Sequence, residues 1–126
     1  MDEKLIEEFM KQKTFAVVGA SSNPEKYGHT ITKNLLDRGY TVYPVNPRLE
    51  QLHGVKCYRS LSELPVKVDV VDIVVPPKIT GETVKECLKL GLTRVWMQPG
   101  AESAEAVEFC NKNGIKVIHG ACVMMH

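Results

Sequence analysis

Residues 15–28 read Phe15-Ala16-Val17-Val18-Gly19-Ala20-Ser21-Ser22-Asn23-Pro24-Glu25-Lys26-Tyr27-Gly28. An apolar run stops at a glycine, and small polar residues and Asn-Pro follow. After a lysine and a second glycine, Ile31, Leu35 and Leu36 continue on one helical face. Strand, tight turn, helix is the opening unit of a nucleotide-binding α/β fold. Such a turn aims backbone N–H groups and the positive end of a helix dipole at an anion. Lys26 adds a full charge, so Gly19 to Gly28 reads as a phosphate cradle. The plainer alternative is a turn that any parallel α/β chain needs after its first strand. A regular G-x-G-x-x-G is also missing, since Ser21 stands at the second glycine position.

Outward from this segment the chain keeps a regular punctuation. Helix, glycine, apolar strand occurs at Arg38-Gly39 before Tyr40–Val45, at Leu90-Gly91 before Thr93–Met97, and at Asn113-Gly114 before Ile115–His119. Each glycine suits the left-handed residue past a helix C-terminus, and the repetition indicates parallel βα units. Residues 14–19 and 70–75 are nearly continuous apolar runs, as strands buried on both faces should be. Val55–Tyr58 reads as a short edge strand. Residues 2–12 form a leading helix capped by Asp2, with Leu5, Ile6, Phe9 and Met10 as its apolar stripe. Ser60-Leu61-Ser62-Glu63 fits a capping box, Thr80 a cap for the helix after Pro76-Pro77, and Ser103 a cap for the last helix. The expected fold is a Rossmann-like doubly wound parallel sheet, three-layer αβα, in a single domain over residues 1–126. Its strand order would be 3-2-1-4-5 with a sixth short strand at the far edge.

Composition narrows the class. There are 16 basic and 15 acidic residues and no basic run, which argues against a nucleic-acid surface. No apolar run approaches the ~20 residues of a membrane helix, and the polar start carries no secretory signal. Cys57, Cys87, Cys110 and Cys122 lie far apart, so neither a zinc ribbon nor a thioredoxin pair is indicated. Cys87 and Cys110 fall on apolar helix faces. These features point to a cytoplasmic protein with reduced thiols.

In a doubly wound sheet, ligands sit where the winding reverses, at the carboxyl ends of the strands. Three loops meet there. Gly19–Gly28 would hold a pyrophosphate. Asn46-Pro47-Arg48 stands where NAD-binding folds place an acidic ribose ligand, ~20 residues after the glycines. Asn46 and Pro47 in that place count against NAD, while Arg48 can face a ribose phosphate, as in NADP or coenzyme A. Val75-Pro76-Pro77 offers a rigid apolar edge suited to an adenine or a pantetheine arm. Asn-Pro and Pro-Pro also serve simply as turn and strand terminator.

Four segments in order are Val17 to Gly28, Tyr43-Pro44-Val45-Asn46-Pro47, Val74-Val75-Pro76-Pro77 and Val95-Trp96-Met97-Gln98-Pro99-Gly100. Together they resemble the small CoA-binding domain proteins, akin to the N-terminal CoA-binding domain of the succinyl-CoA synthetase α subunit. The resemblance spans about residues 10–123. It implies coenzyme A as ligand, with Gly19, Ala20, Ser21, Ser22, Lys26 and Gly28 at the phosphates. It puts Asn46, Pro47 and Arg48 near the adenosine 3′-phosphate end. Val75, Pro76 and Pro77 would flank the nucleotide and the start of the pantetheine. The synthetase also needs a second domain with a phosphorylated histidine and an ATP-grasp partner. The sequence stops at His126 before any such domain, so ligase activity is not expected.

His119 and Cys122 lie near each other and invite comparison with a base and a nucleophile, yet nothing in their spacing sets that geometry, and no metal set is evident. Asp72 interrupts an apolar strand and needs a partner, which the sequence does not name. The expected function is binding of CoA or an acyl-CoA without catalytic machinery. The alternatives are an enzyme acting on an acyl-CoA thioester and an NADP-binding or redox-sensing module. A protein partner, or a second copy of the chain, is left open.

Overall fold

The computed structural model describes residues 2–126. Strand β1 (Thr14–Val18) lies between β2 (Thr41–Val45) and β5 (Val70–Ile73), parallel to both. Phe15, Ala16 and Val17 are wholly buried, which is why this strand reads as unbroken apolar sequence. Beyond β5 come β6 (Arg94–Met97) and β7 (Lys116–Ile118), giving the parallel order β2-β1-β5-β6-β7. The winding reverses between β1 and β5, as expected.

The expected edge strand at Val55–Tyr58 is not a full member of this sheet. Only Tyr58 reaches β2, through a single parallel bridge with Val45. Its amide donates to Pro44 O at 2.9 Å, and Asn46 N donates to its carbonyl at 2.8 Å. The next rung back along the ladder would require a donor from Pro44, which has no N–H. Val55–Lys56 (β4) instead pairs antiparallel with Gln51–Leu52 (β3), and the pair turns at His53, in a left-handed conformation, and Gly54.

Side chains alternate across the sheet and divide the core in two. One face carries Phe15, Val17, Val70 and Trp96 against α1 (Glu3–Met10), α2 (Tyr27–Asp37) and the C-terminal 3₁₀ turn Val123–Met125. The other carries Ala16, Val71, Ile73, Val95 and Met97 against α3 (Pro77–Leu90), α4 (Ala104–Lys112) and the 3₁₀ turn Leu61–Glu63. Trp96 is fully buried. Its indole N–H donates to Ala121 O at 2.8 Å, and Phe9 meets its ring edge-on at 6.1 Å. Val123 is therefore core, while Met125 is exposed.

Asp2 and Ser103 cap α1 and α4 through Leu5 N and Ala106 N, and Gly39, Gly91 and Gly114 are all left-handed, as the punctuation predicts. Two expected caps differ. Helix α3 already begins at Pro77, whose fixed φ suits a first helical residue, so Thr80 lies inside it and donates to Ala101 O at 2.7 Å. Ser60 precedes its turn without capping it, its hydroxyl meeting Ser62 Oγ at 2.8 Å instead. Among the described residues no helix is long and apolar enough to cross a membrane.

Candidate functional site

The crevice is built on two close backbone approaches. Gly19 has φ +102°, a conformation side chains rarely adopt, and a Cβ there would stand 2.8 Å from Val74 Cγ2 and 3.0 Å from Val75 Cγ1. Its amide donates to Val45 O at 3.2 Å, so the loop leaves β1 tied to both neighbouring strands. At Gly28, in the first turn of α2, a Cβ would stand against Gly19 O at an impossible 1.9 Å. The missing side chain lets the helix rest its N-terminus directly on the carbonyl that ends β1. Gly28 is buried, so its structural part is close packing beneath the cradle. Ala20 is buried beside it.

Between the glycines the loop holds itself in shape. Ser21 Oγ accepts from Asn23 N, and Asn23 Oδ1 from Glu25 N, both at 3.0 Å. Lys26 N closes the turn on Asn23 O at 3.0 Å. Ser22 and Lys26 are exposed. Lys26 is the N-cap of α2 in extended geometry, and no side chain caps that helix. Helix α3, which opens at Pro76-Pro77 across the crevice, also lacks a side-chain cap. The helices flanking the switch point thus keep their first-turn donors clear of side-chain caps, whereas α1 and α4 are capped. A helix end of this kind favours an anion.

Asn46 is engaged within the chain. Its Nδ2 donates to Ala20 O at 2.7 Å, and its Oδ1 accepts from Arg48 N at 2.7 Å and Leu49 N at 3.2 Å. The side chain clamps the second loop onto the cradle and leaves Pro47 and Arg48 as the exposed members of that loop. The acceptor that an acidic residue would turn to a ribose is here turned inward. Asn46→Asp keeps the acceptor, loses the donor and sets a carboxylate against Ala20 O. We expect a stability loss of about 1–3 kcal/mol, measured by denaturant unfolding. Val75 is half-buried and Pro76 and Pro77 are exposed on the far wall.

Asp72 finds the partner that the sequence left unnamed. It is fully buried on β5, and Gln98 Nε2 donates to its Oδ1 at 2.5 Å. The other end of Gln98 accepts from Val123 N at 3.0 Å, linking the central strand to the C-terminal turn. Asp72 Oδ2 has no partner. Burial pushes this carboxyl up to about 7, opposed in part by the Gln98 hydrogen bond. The register Asp72↔Trp96 puts Gln98, two residues on, one pleat higher on the same face.

The two residues that invite a catalytic comparison differ in setting. His119 is exposed in a groove with Glu102, Val107 and Asn111, while Cys122 is half-buried as the N-cap of the C-terminal turn. Burial pushes the Cys87 thiol up to about 12 and the Cys110 thiol up to about 11, and also raises Cys57. Such thiols are poor nucleophiles. Among the described residues no group of three or more His, Cys, Asp or Glu could hold a metal. Two features at the mouth were not singled out from sequence. Tyr27 is 59% exposed beside Lys26. His29 meets His53 edge-on at 4.4 Å, with His53 Nε2 3.0 Å from His29 O. The aromatic next to the cradle lysine was the available signal for the first. For the second there was none, because a hairpin carries His53 to α2.

A family model described as a CoA binding domain matches residues 13–126. The α subunit of an ADP-forming acetate–CoA ligase II from Pyrococcus furiosus is 37% identical over 130 residues, covering 94% of this chain and 28% of that one. The chain thus spans under a third of that curated relative's length. A conserved hypothetical protein from Pyrococcus furiosus superposes with a TM-score of 0.86 at 48% identity, over 90% of this chain and 97% of that one. A hypothetical protein from Pyrococcus horikoshii does so with a TM-score of 0.92 at 39% identity, over 99% and 88%.

Proposed function

The chain belongs to the CoA binding domain family, and on that premise we propose that residues 1–126 act as a single domain holding coenzyme A, or an acyl-CoA, at the carboxyl ends of β1 and β5. The observation that carries this reading is the α2 N-terminus, free of a side-chain cap and seated on Gly19 by the absence of a side chain at Gly28. That arrangement suits a pyrophosphate, because the two glycines let the uncapped first turn of α2 sit directly on the loop that leaves β1, where an anion is favoured. Ser21, Ser22 and Lys26 would meet the phosphates, with Gly19, Ala20 and Gly28 shaping the backbone around them. Pro47 and Arg48, positioned by Asn46, would lie toward the 3′-phosphate end. Val75, Pro76 and Pro77 would flank the nucleotide and the first part of the pantetheine. The chemistry proposed is binding, with the crevice loops contributing phosphate and nucleotide contacts.

The test is a native mass spectrum of the protein offered equimolar CoA, NAD and NADP. We expect one adduct, at the CoA mass. Lys26→Ala and Arg48→Ala should each weaken CoA binding by about tenfold, the share of one exposed charge-assisted contact. An NADP adduct would recast Arg48 as a 2′-phosphate reader, and unchanged affinity in both variants would sink the placement of the ligand.

A further inference from the structure

We infer that ligand binding in this crevice is coupled to the protonation of Asp72, the ligand being held more tightly while that carboxyl is neutral. The inference rests on the CoA reading above and adds a regulation to the same site. It starts from position. Asp72 pairs in register with Val17 on β1, and Val74 N donates to Val18 O at 2.9 Å. Val74 packs with the same core as Val17 and Val70, so Asp72 lies on that face, one pleat or roughly 7 Å below the cradle. The buried Ala20 belongs to the core cluster on this face, Val74 packs against that cluster, and Val74 lies against the Gly19 backbone. The packing of this layer is tight, since a would-be Cβ at Gly19 stands 2.8 Å from Val74 Cγ2. Charges on either side of such a layer interact with little screening.

The environment of Asp72 supplies no compensating cation. Its one polar partner is the neutral Gln98, and Oδ2 stands alone in the interior. On β1 the neighbour is Val17. Helix α1 offers Glu8, which is taken up by Arg94 of β6 and Lys116 of β7. Helix α2 offers Arg38, bonded to Val123 O at 3.2 Å, and His29, packed on His53. The C-terminal segment offers His119, Cys122 and His126, the last with its ring 6.2 Å from Trp96. Lys26 stands exposed above the cradle. None of these bonds Asp72. An ionised Asp72 would therefore face an anionic ligand across a thin layer of packed protein, and binding must favour the protonated form. A unit charge roughly 10 Å away at an effective dielectric of ~20 moves a carboxyl by about one pH unit. By linkage, affinity falls about tenfold as the pH rises through that interval.

The experiment is calorimetry of the full chain with dephospho-CoA, which keeps the pyrophosphate and lacks the 3′-phosphate that titrates near neutrality. Titrations at pH 7.5 in buffers of different ionisation enthalpy give the protons taken up. We expect net uptake by the wild type, uptake near zero for Asp72→Asn, and a tenfold weaker Kd at pH 8.5 than at pH 6 in the wild type alone. Because Asp72→Asn is a core change, the Asp72 carboxyl ¹³C shift of the wild type is titrated as well, and its midpoint should rise by about one pH unit with ligand. Binding without proton uptake, or a midpoint that does not move, overturns the coupling and leaves the CoA reading standing. Equal uptake by Asp72→Asn also overturns it, because the proton then goes to another group. No binding at any pH overturns the CoA reading, and the coupling falls with it.

Discussion

Replacing Gly28 with alanine should cost the protein both stability and ligand. In an ordinary exposed helix position that change would stabilise by about 1 kcal/mol, through helix propensity. Here the new Cβ would collide with Gly19 O and crowd Gly19 C and Ala20 Cα. These are backbone atoms, and no rotamer change can relieve them. Either α2 lifts from the end of β1 or the cradle deforms. We expect a net loss of about 2–3 kcal/mol, in the range for overpacked sites, read as a lower denaturant midpoint at unchanged slope. CoA affinity should drop by about tenfold to a hundredfold, the share of one charge-assisted hydrogen bond. Gly81→Ala is the control: that glycine is also helical, but its Cβ would meet nothing, and the variant should be as stable as the parent or more so. A Gly28→Ala protein with wild-type stability and affinity would refute the close approach.

The second large effect is a pH dependence of stability centred on Asp72. Its carboxyl sits at about 7 in the folded chain, against 3.8 for an ordinary aspartate, because burial penalises the charge. Between those values the folded state holds more protons than the unfolded one, so the contribution to stability falls as pH rises. It is fully present below about pH 4, declines toward pH 7, and is flat above. The total is on the order of 4 kcal/mol. Asp72→Asn keeps an acceptor for Gln98 and stays neutral at every pH. We expect the variant to match the wild type near pH 4 to within about 1 kcal/mol and to exceed it by several kcal/mol at pH 8. The difference curve isolates this group. Glu8, held below the ordinary carboxylate range by Lys116 and Arg94, contributes the opposite slope at acid pH to both proteins. Parallel curves for the two proteins from pH 4 to 8 would show that Asp72 keeps an ordinary charge when folded.

The two predictions differ in how far each could be read in advance. Gly28 was visible as a glycine near the start of a helix, in a segment resembling a phosphate loop. That its missing side chain admits Gly19 O was not visible, since the approach depends on the angle at which α2 lies against β1. Asp72 was visible as a charged residue within Val70–Ile73. Gln98, 26 positions away, could be identified only once β5 and β6 were neighbours in a known register. Asn46 shows the same limit, because its bond to Ala20 O spans 26 positions and gives it a clamping part that its place in the sequence does not show. Pro44 is the opposite case. A local property, the missing N–H, reduces an expected strand to one bridge, and the residue that does this stood in plain sight.

By itself the sequence determined the parallel βα units, the switch point and the three loops that meet there, though not the Gln51–Lys56 hairpin. Those features arise from backbone propensity, hydrophobic periodicity and turn chemistry, which act over a few residues at a time. Only the tertiary structure decided which polar groups are spent inside the protein and which face the crevice. A buried donor or acceptor must find a partner wherever packing brings one, and that partner is set by strand order and register across the whole sheet.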